Sequence, residues 1–297
     1  MSALAEFIAR HALPVLLLIA VITLGVSLLM WRFVERCGPR LWAAAVSAWN
    51  CLKRSVLADR VRAVPGLGRA LTHTLTAARY LGAYAVISFS LAVAALFVFF
   101  ELAAEIGVGE DLAQFDTSLS NALAVHLSRN ALTLMSWITR LGNKEFLIAL
   151  AVVVTLLLLL QRRTLMAAWW AVATTAGGLL NVLLKSIFER VRPIHEHGVV
   201  VEDGWSFPSG HASGSVLVYG LLGYLLVRYT PPRWHLSCAI ACAMLMVFVG
   251  FSRVLLQVHY LSDVLAGYAS AAAWSALCIA GAEAARWRDV RMSDRLN

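Results

Sequence analysis

The chain alternates long apolar runs with short arginine-rich joints, and the runs decide what it can fold into. From Ala12 to Trp31 it reads ALPVLLLIAVITLGVSLLMW, and comparable runs recur at about 81–101, 145–160, 165–187, 211–228, 236–256 and 261–282. A helix needs about 20 predominantly apolar residues to cross the hydrocarbon of a bilayer, and a backbone in lipid must satisfy its own hydrogen bonds. The seven runs therefore predict an all-α integral membrane protein. The run ending at Leu160 is short and is expected to begin nearer Leu141. The first run lacks the positive flank and small-residue cleavage site of a signal peptide, so it is expected to stay as a helix. A porin-type barrel would show short alternating segments, and none is evident. Only 14% of residues are charged, against about 25% in soluble domains.

The formal net charge of +8 does not point to nucleic acid, because cytoplasmic loops of membrane proteins collect Lys and Arg. Arg162, Arg163, Arg228 and Arg233 and the tail residues Arg286, Arg288, Arg291 and Arg295 mark one side, expected to be cytoplasmic. The N-terminus is then outside and the C-terminus inside. Residues 32–80 carry Arg32, Arg36, Arg40, Lys53, Arg54, Arg60, Arg62, Arg69 and Arg79 against Glu35 and Asp59. Within them Trp42, Val46, Trp49 and Leu52 recur at helical spacing, which fits either an interfacial helix or a plain connector. The stretch 102–140 holds Glu105, Glu110, Asp111 and Asp116 and is expected to be a solvated loop without chemistry. The five cysteines, Cys37, Cys51, Cys238, Cys242 and Cys278, read as small core residues, and no disulfide is expected.

Three strings place ionisable groups among these runs: KSIFERVRP from Lys185 to Pro193, PSGH from Pro208 to His211, and SRVLLQVHYLSD from Ser252 to Asp263. Ionisable groups in membrane segments are costly and are by default functional. Lys185 and Arg192 supply a point charge and a planar fork suited to phosphate oxygens, although snorkelling boundary cations would look the same. Pro193 biases Arg192 away from helix. Ser209 and Gly210 open an apolar helix, where free N–H groups favour an anion. His211 follows in the first turn, as a proton donor or as an interfacial histidine. His259 and Asp263 are four apart, expected on one helical face, and a carboxylate beside an imidazole fixes its tautomer. A structural His–Asp pair capping a helix is the plain alternative. Arg253 precedes them and can reach a further phosphate oxygen.

Taken together, the strings fit one reaction. Lys185, Arg192, Arg253 and the amides near Ser209 would hold the charge spread over a phosphoryl group in transfer. His259 would attack, and His211 would protonate the leaving oxygen and then serve as base for water. By the loop charges, all three strings lie on the outer side.

The pattern K-x6-RP, PSGH and SR-x5-H-x3-D resembles that of the type-2 phosphatidic acid phosphatase superfamily, the lipid phosphate phosphatases, and every fixed position matches. The resemblance covers about residues 81–282. It implies a six-helix core; residues 1–80, read as one extra N-terminal transmembrane helix with a basic segment, lie outside it and precede a phosphatase domain, 81–297, with a basic cytoplasmic tail. It implies His259 as nucleophile, His211 as acid and base, Asp263 as partner of His259, and Lys185, Arg192, Ser209, Gly210 and Arg253 as phosphate ligands. No metal or cofactor is expected, and the partners are a lipid phosphate substrate and membrane lipids, not nucleic acid. Substrates of phosphatidic acid, phosphatidylglycerophosphate or undecaprenyl pyrophosphate type are implied. A phosphotransferase, passing the group to another hydroxyl, and a non-enzymatic scaffold or transport subunit are the alternatives. The loop 194–207, with His195, Glu196, His197, Glu202 and Asp203, is expected to shape the entrance rather than hold a metal.

Overall fold

A computed structural model describes residues 2–53, 87–107, 110–194 and 199–296, and among these every regular element is helical. In chain order they are α1 (Ser2–Arg10), α2 (Ala12–Lys53), α3 (Ile87–Ala104), α4 (Asp111–His126), α5 (Arg129–Thr139), a 3-10 turn (Arg140–Gly142), α6 (Lys144–Leu160), α7 (Thr164–Phe188), α8 (Gly210–Tyr229), α9 (Pro232–Leu255) and α10 (Leu261–Leu296). Seven stretches of these helices are long and apolar enough to cross a membrane: Ala12–Cys37, Ile87–Ala104, Arg129–Leu160, Thr164–Phe188, Gly210–Tyr229, Pro232–Leu255 and Leu261–Arg286. Their outward faces are apolar. Val21, Phe97, Ile148 and Leu179 each expose more than 60% of their surface, an arrangement that water penalises and lipid accepts. The chain is an integral membrane protein.

The chain divides into two compact units, Met1–Ser27 with Leu91–Ser275, and Leu28–Ser90 with Ala276–Asn297. In the second unit, α2 continues as helix to Lys53 instead of ending near Trp31. The side chains of Trp42, Val46, Trp49 and Leu52, and residues 54–80, lie outside the described residues. Trp31 donates from Nε1 to Glu35 at 2.6 Å, and Arg286 pairs with Glu283 at 3.1 Å.

The first unit holds all three strings. The span expected to begin near Leu141 starts at Arg129 and is broken by the 3-10 turn. Charged Arg140, Lys144 and Glu145 interrupt the hydropathy there and mask the continuity. The stretch expected to be a solvated loop is largely helical, made of α4 and α5, and α4 buries Phe115, Asp116, Leu119, Ala122 and Leu123. Helix α4 packs against α1, whose buried face is Ala5 and Ala9, and His126 meets Glu6 at 2.5 Å. Hydrogen bonding to His126 holds the Glu6 carboxyl below its usual range. An apolar core joins α1, α4 and α5 to Ala212, Leu255, Leu256, Val258 and Val264, so α1 and α4 buttress the segment that carries His259. A second cluster wedges the buried Phe207 between Phe99 of α3, with ring centroids at 5.8 Å, and Phe188 of α7, at 4.9 Å. This fixes the residue before Pro208.

Candidate active site

Each functional side chain sits where a helix begins or ends. Helix α7 stops at Phe188 because Glu189 takes a left-handed conformation with φ 46°. Lys185 is thus in a last helical turn, and Arg192 stands in the extended segment after it, so the two do not share a continuous helix. They converge on one loop all the same. Lys185 Nζ donates to the carbonyl of Trp205, and more loosely to that of Ser206 at 3.4 Å. Arg192 donates to the carbonyls of Gly204 at 2.9 Å, Asp203 at 3.2 Å and Val258 at 2.8 Å.

Ser209 caps α8 by accepting from the Ala212 N–H, and its own N–H donates to the Asp263 carbonyl at 2.9 Å. Gly210 opens the helix beside Lys185: a Cβ there would lie 3.9 Å from Lys185 Cε and 3.3 Å from Asn181 Oδ1. The helix dipole and its free N–H groups therefore point to the same place as the Lys185 ammonium. His211 turns to α6, with Nε2 2.9 Å from Asn143 Oδ1. An amide oxygen only accepts, so Nε2 carries a proton.

After α9 the chain reverses at Gln257, whose φ of 54° lies in the region non-glycine residues rarely use. The Val258 N–H bonds back to the Arg253 carbonyl at 3.3 Å, which swings His259 over the end of α9. His259 precedes α10, which begins at Leu261, so His259 and Asp263 do not share a helical face. Asp263 instead reaches back from the third position of α10, and its Oδ2 accepts the Tyr260 N–H at 2.8 Å in the manner of a capping box. That Oδ2 also accepts the Ser206 hydroxyl and lies 3.4 Å from His259 Nδ1.

The tautomer of His259 follows from its neighbours. Nε2 is 3.1 Å from Arg192 Nη1, and arginine has no lone pair to offer. Nε2 therefore accepts and is unprotonated, and Nδ1 carries the hydrogen toward Asp263 and Ser206, the latter at 3.2 Å. Burial pushes the imidazole down to about 3, against the opposing pull of Asp263. His259 is a neutral imidazole whose unprotonated nitrogen faces the Arg192 guanidinium.

Arg253 is fully buried. It donates to Thr139 Oγ1 at 2.7 Å and pairs with Glu202 at 2.6 Å, while its Nε has no partner. A buried, unpaired N–H on a guanidinium is costly and leaves one edge of the fork free for an oxyanion.

A model of the PAP2 superfamily matches residues 165–287. Phosphatidylglycerophosphatase B of Bacillus subtilis is 32% identical over 175 residues, which cover 58% of this chain and 86% of that protein. The chain belongs to the PAP2 superfamily. Lipid A 1-phosphatase of Rhizobium johnstonii is 35% identical over 109 residues, covering 34% of this chain and 41% of that protein. The crystal structure of a transmembrane PAP2 type phosphatidylglycerolphosphate phosphatase from Bacillus subtilis aligns with a TM-score of 0.59 at 31% identity, covering 63% of this chain and 93% of that one.

Beyond the PAP2 strings, the site includes residues that the sequence did not single out. Ser206 touches both members of the His259–Asp263 pair. Asn143 holds His211, and Glu202, named in the sequence only as part of the entrance loop, meets Arg253. Arg190, inside the spacer of the first string, donates to Asp263 Oδ1 at 2.7 Å and to Asp116 at 3.0 Å. Asp116 is 1% exposed, where a solvated side chain without chemistry was expected. Burial raises its carboxyl, and Ser262 and Arg190 draw it back. The only advance signal for Arg190 was a third cation in a spacer that needs two. His195 and His197 lie outside the described residues.

Proposed function

We propose that the chain is a membrane lipid phosphate phosphatase that works through a phosphohistidine on His259, without a metal. The observation that carries this is the state of His259: neutral, with Nε2 unprotonated against Arg192 and Nδ1 toward Asp263. Attack by Nε2 forms the N–P bond and breaks the ester P–O bond, and the proton of a protonated His211 goes to the departing oxygen. The imidazole gains positive charge, which Asp263 balances. Water then attacks phosphorus, His211 takes its proton, the N–P bond breaks, and inorganic phosphate leaves with His259 restored. Lys185, Arg192, the free Nε of Arg253 and the amides after Ser209 bind the phosphoryl oxygens. Each such donor is worth roughly 3 kcal/mol when preorganised, so positioned cations supply the charge a metal would otherwise bring.

Phosphatidylglycerophosphate is placed first, because a relative and an aligned structure are named for it; phosphatidic acid and undecaprenyl pyrophosphate, implied by the superfamily resemblance, come after it. Arg162, Arg163, Arg228 and Arg233 support a cytoplasmic side opposite the site, hence a headgroup presented at the outer face of a bacterial inner membrane. Residues 1–80 are taken as an N-terminal addition to a phosphatase domain at 81–297. The test is phosphate release from these lipids by purified protein in liposomes, with and without EDTA, and with His259→Ala. Release by the wild type in EDTA and none by His259→Ala is the expected result. Turnover by His259→Ala would overturn the nucleophile, a metal requirement would overturn the metal-free mechanism, and phosphate transfer to an added hydroxyl in preference to water would make the protein a phosphotransferase.

A further inference from the structure

We infer that Arg190 and Asp116 form a positioning and charge-setting pair behind Asp263, which keeps a net negative charge under the His259 imidazole. The inference rests on the proposed function of the site.

Asp263 has one oxygen for the histidine side and one for Arg190. Its Oδ2 faces Ser206, Tyr260 N–H and His259. Its Oδ1 accepts from Arg190 Nη1 at 2.7 Å, and the same Nη1 donates to Ser262 Oγ at 2.7 Å. The second prong, Nη2, donates to Asp116 Oδ2 at 3.0 Å. Ser262 closes the ring: its hydroxyl donates to Asp116 Oδ2 and its N–H to Asp116 Oδ1 at 3.2 Å. Both carboxylates have side chains with no exposed surface, and that of Arg190 is 11% exposed. Its guanidinium carbon also lies 4.3 Å from the Tyr260 ring centroid, and its carbonyl accepts the Ser206 N–H at 2.7 Å. Both terminal nitrogens of the guanidinium are thus held.

Arg190, the Ser262 hydroxyl and the Ser262 N–H all reach the Asp116 carboxyl, and this guanidinium charge and these donors favour its ionised form against burial. Its charge then has a definite consequence. Asp263 alone with Arg190 would make a neutral pair, offering little to an imidazolium forming 3.4 Å away. Asp116 restores one negative charge to the cluster, so the positive charge that appears on His259 when the N–P bond forms closes the group to neutrality. Arg190 meanwhile aligns Asp263 by a fork that spans two carboxylates, which a lysine cannot do. Asp116 lies outside the stretch matched by the superfamily model, 165–287, so this device draws α4 into the site.

The test is a charge-balance cycle on the full-length protein in liposomes, scored by kcat and KM, with His259→Ala alongside. Asp116→Asn keeps the shape and removes the balancing charge, and it should lower kcat about tenfold with KM within about twofold. The double variant Asp116→Asn with Arg190→Gln removes one charge of each sign but also the fork, so its kcat should rise several-fold above that of Asp116→Asn while staying below wild type. Arg190→Lys keeps the charge and loses the fork, and it should lower kcat with little effect on KM, which provides a second reading should Asp116→Asn fail to fold. A double variant no better than Asp116→Asn, a loss that falls on KM, or a wild-type kcat in Arg190→Lys would overturn the inference. A wild type without turnover, or turnover surviving in His259→Ala, would overturn the proposed function itself and is distinguished by those two controls.

Discussion

Gly267 offers a test of how tightly helix packing sets the geometry of the site. It lies on α10 one turn beyond Asp263, where α10 crosses the start of α8. A Cβ at Gly267 would stand 2.8 Å from the Ser209 carbonyl oxygen, 3.1 Å from Ala212 Cβ and 3.2 Å from the Ser213 nitrogen, whereas ordinary contact begins at 3.4 Å. The worst overlap is thus about 0.6 Å, and the atoms concerned are backbone and Cβ, so no rotamer relieves it. Gly267→Ala must push the start of α8 away from α10 by about half an ångström, stretching the 2.9 Å bond from Ser209 N–H to the Asp263 carbonyl. Overpacking of this kind costs about 1–3 kcal/mol, partly offset by up to ~1 kcal/mol of helix propensity gained on replacing glycine. Gly220 isolates that offset: it lies on α8, and nothing would come within 4 Å of a Cβ there. The thermal midpoint of Gly267→Ala should fall several degrees below that of Gly220→Ala, at about 2–4 °C per kcal/mol for a domain of this size. Because a misplacement of ~1 Å can cost on the order of 100-fold in rate, half of that should lower kcat for phosphate release roughly tenfold. If Gly267→Ala matches Gly220→Ala in both midpoint and kcat, the close approach of α10 to Ser209 does not set the site.

Two further outcomes are expected. Asn143→Ala removes the acceptor that orients His211; a buried hydrogen bond lost in this way costs about 1–3 kcal/mol, so kcat in liposome assays should drop ten- to a hundredfold while KM stays within about twofold, and a loss confined to KM would contradict the assignment. Burial holds His259 near 3 in the folded chain against ~6.5 when unfolded, so stability from this group is full above pH ~6.5 and falls as the pH drops toward 3, by roughly 2 kcal/mol at pH 5; the thermal midpoint of wild type should therefore decline more steeply from pH 7 to pH 5 than that of His259→Gln, and parallel declines would sink the argument.

The sequence reveals what a membrane demands of each residue separately, and it conceals what residues demand of one another across helices. The apolar runs place all seven spans, because lipid requires each to satisfy its own backbone, a local condition that hydropathy reads directly. The PAP2 strings are legible for a related reason: glycine, serine and histidine at the start of α8, and histidine and aspartate around the start of α10, are set by the local geometry of helix ends. Asp116 fails both criteria. It stands in a stretch with Glu105, Glu110 and Asp111, and composition cannot separate the one carboxylate that turns inward from the three beside it. What distinguishes Asp116 is the presence of Arg190 and Ser262 more than seventy residues away, joined to it by hydrogen bonds at 3.0 Å and 3.2 Å. Arg190 was hidden differently, as a spacer residue between two cations that already seemed sufficient. Separations of 68 and 53 residues hid Asn143 from His211 and Ser206 from His259. In each case the charge, donor or acceptor that completes the site is supplied by a separate helix or loop, whose own sequence is free to look like a boundary, because its value arises only where the chain packs.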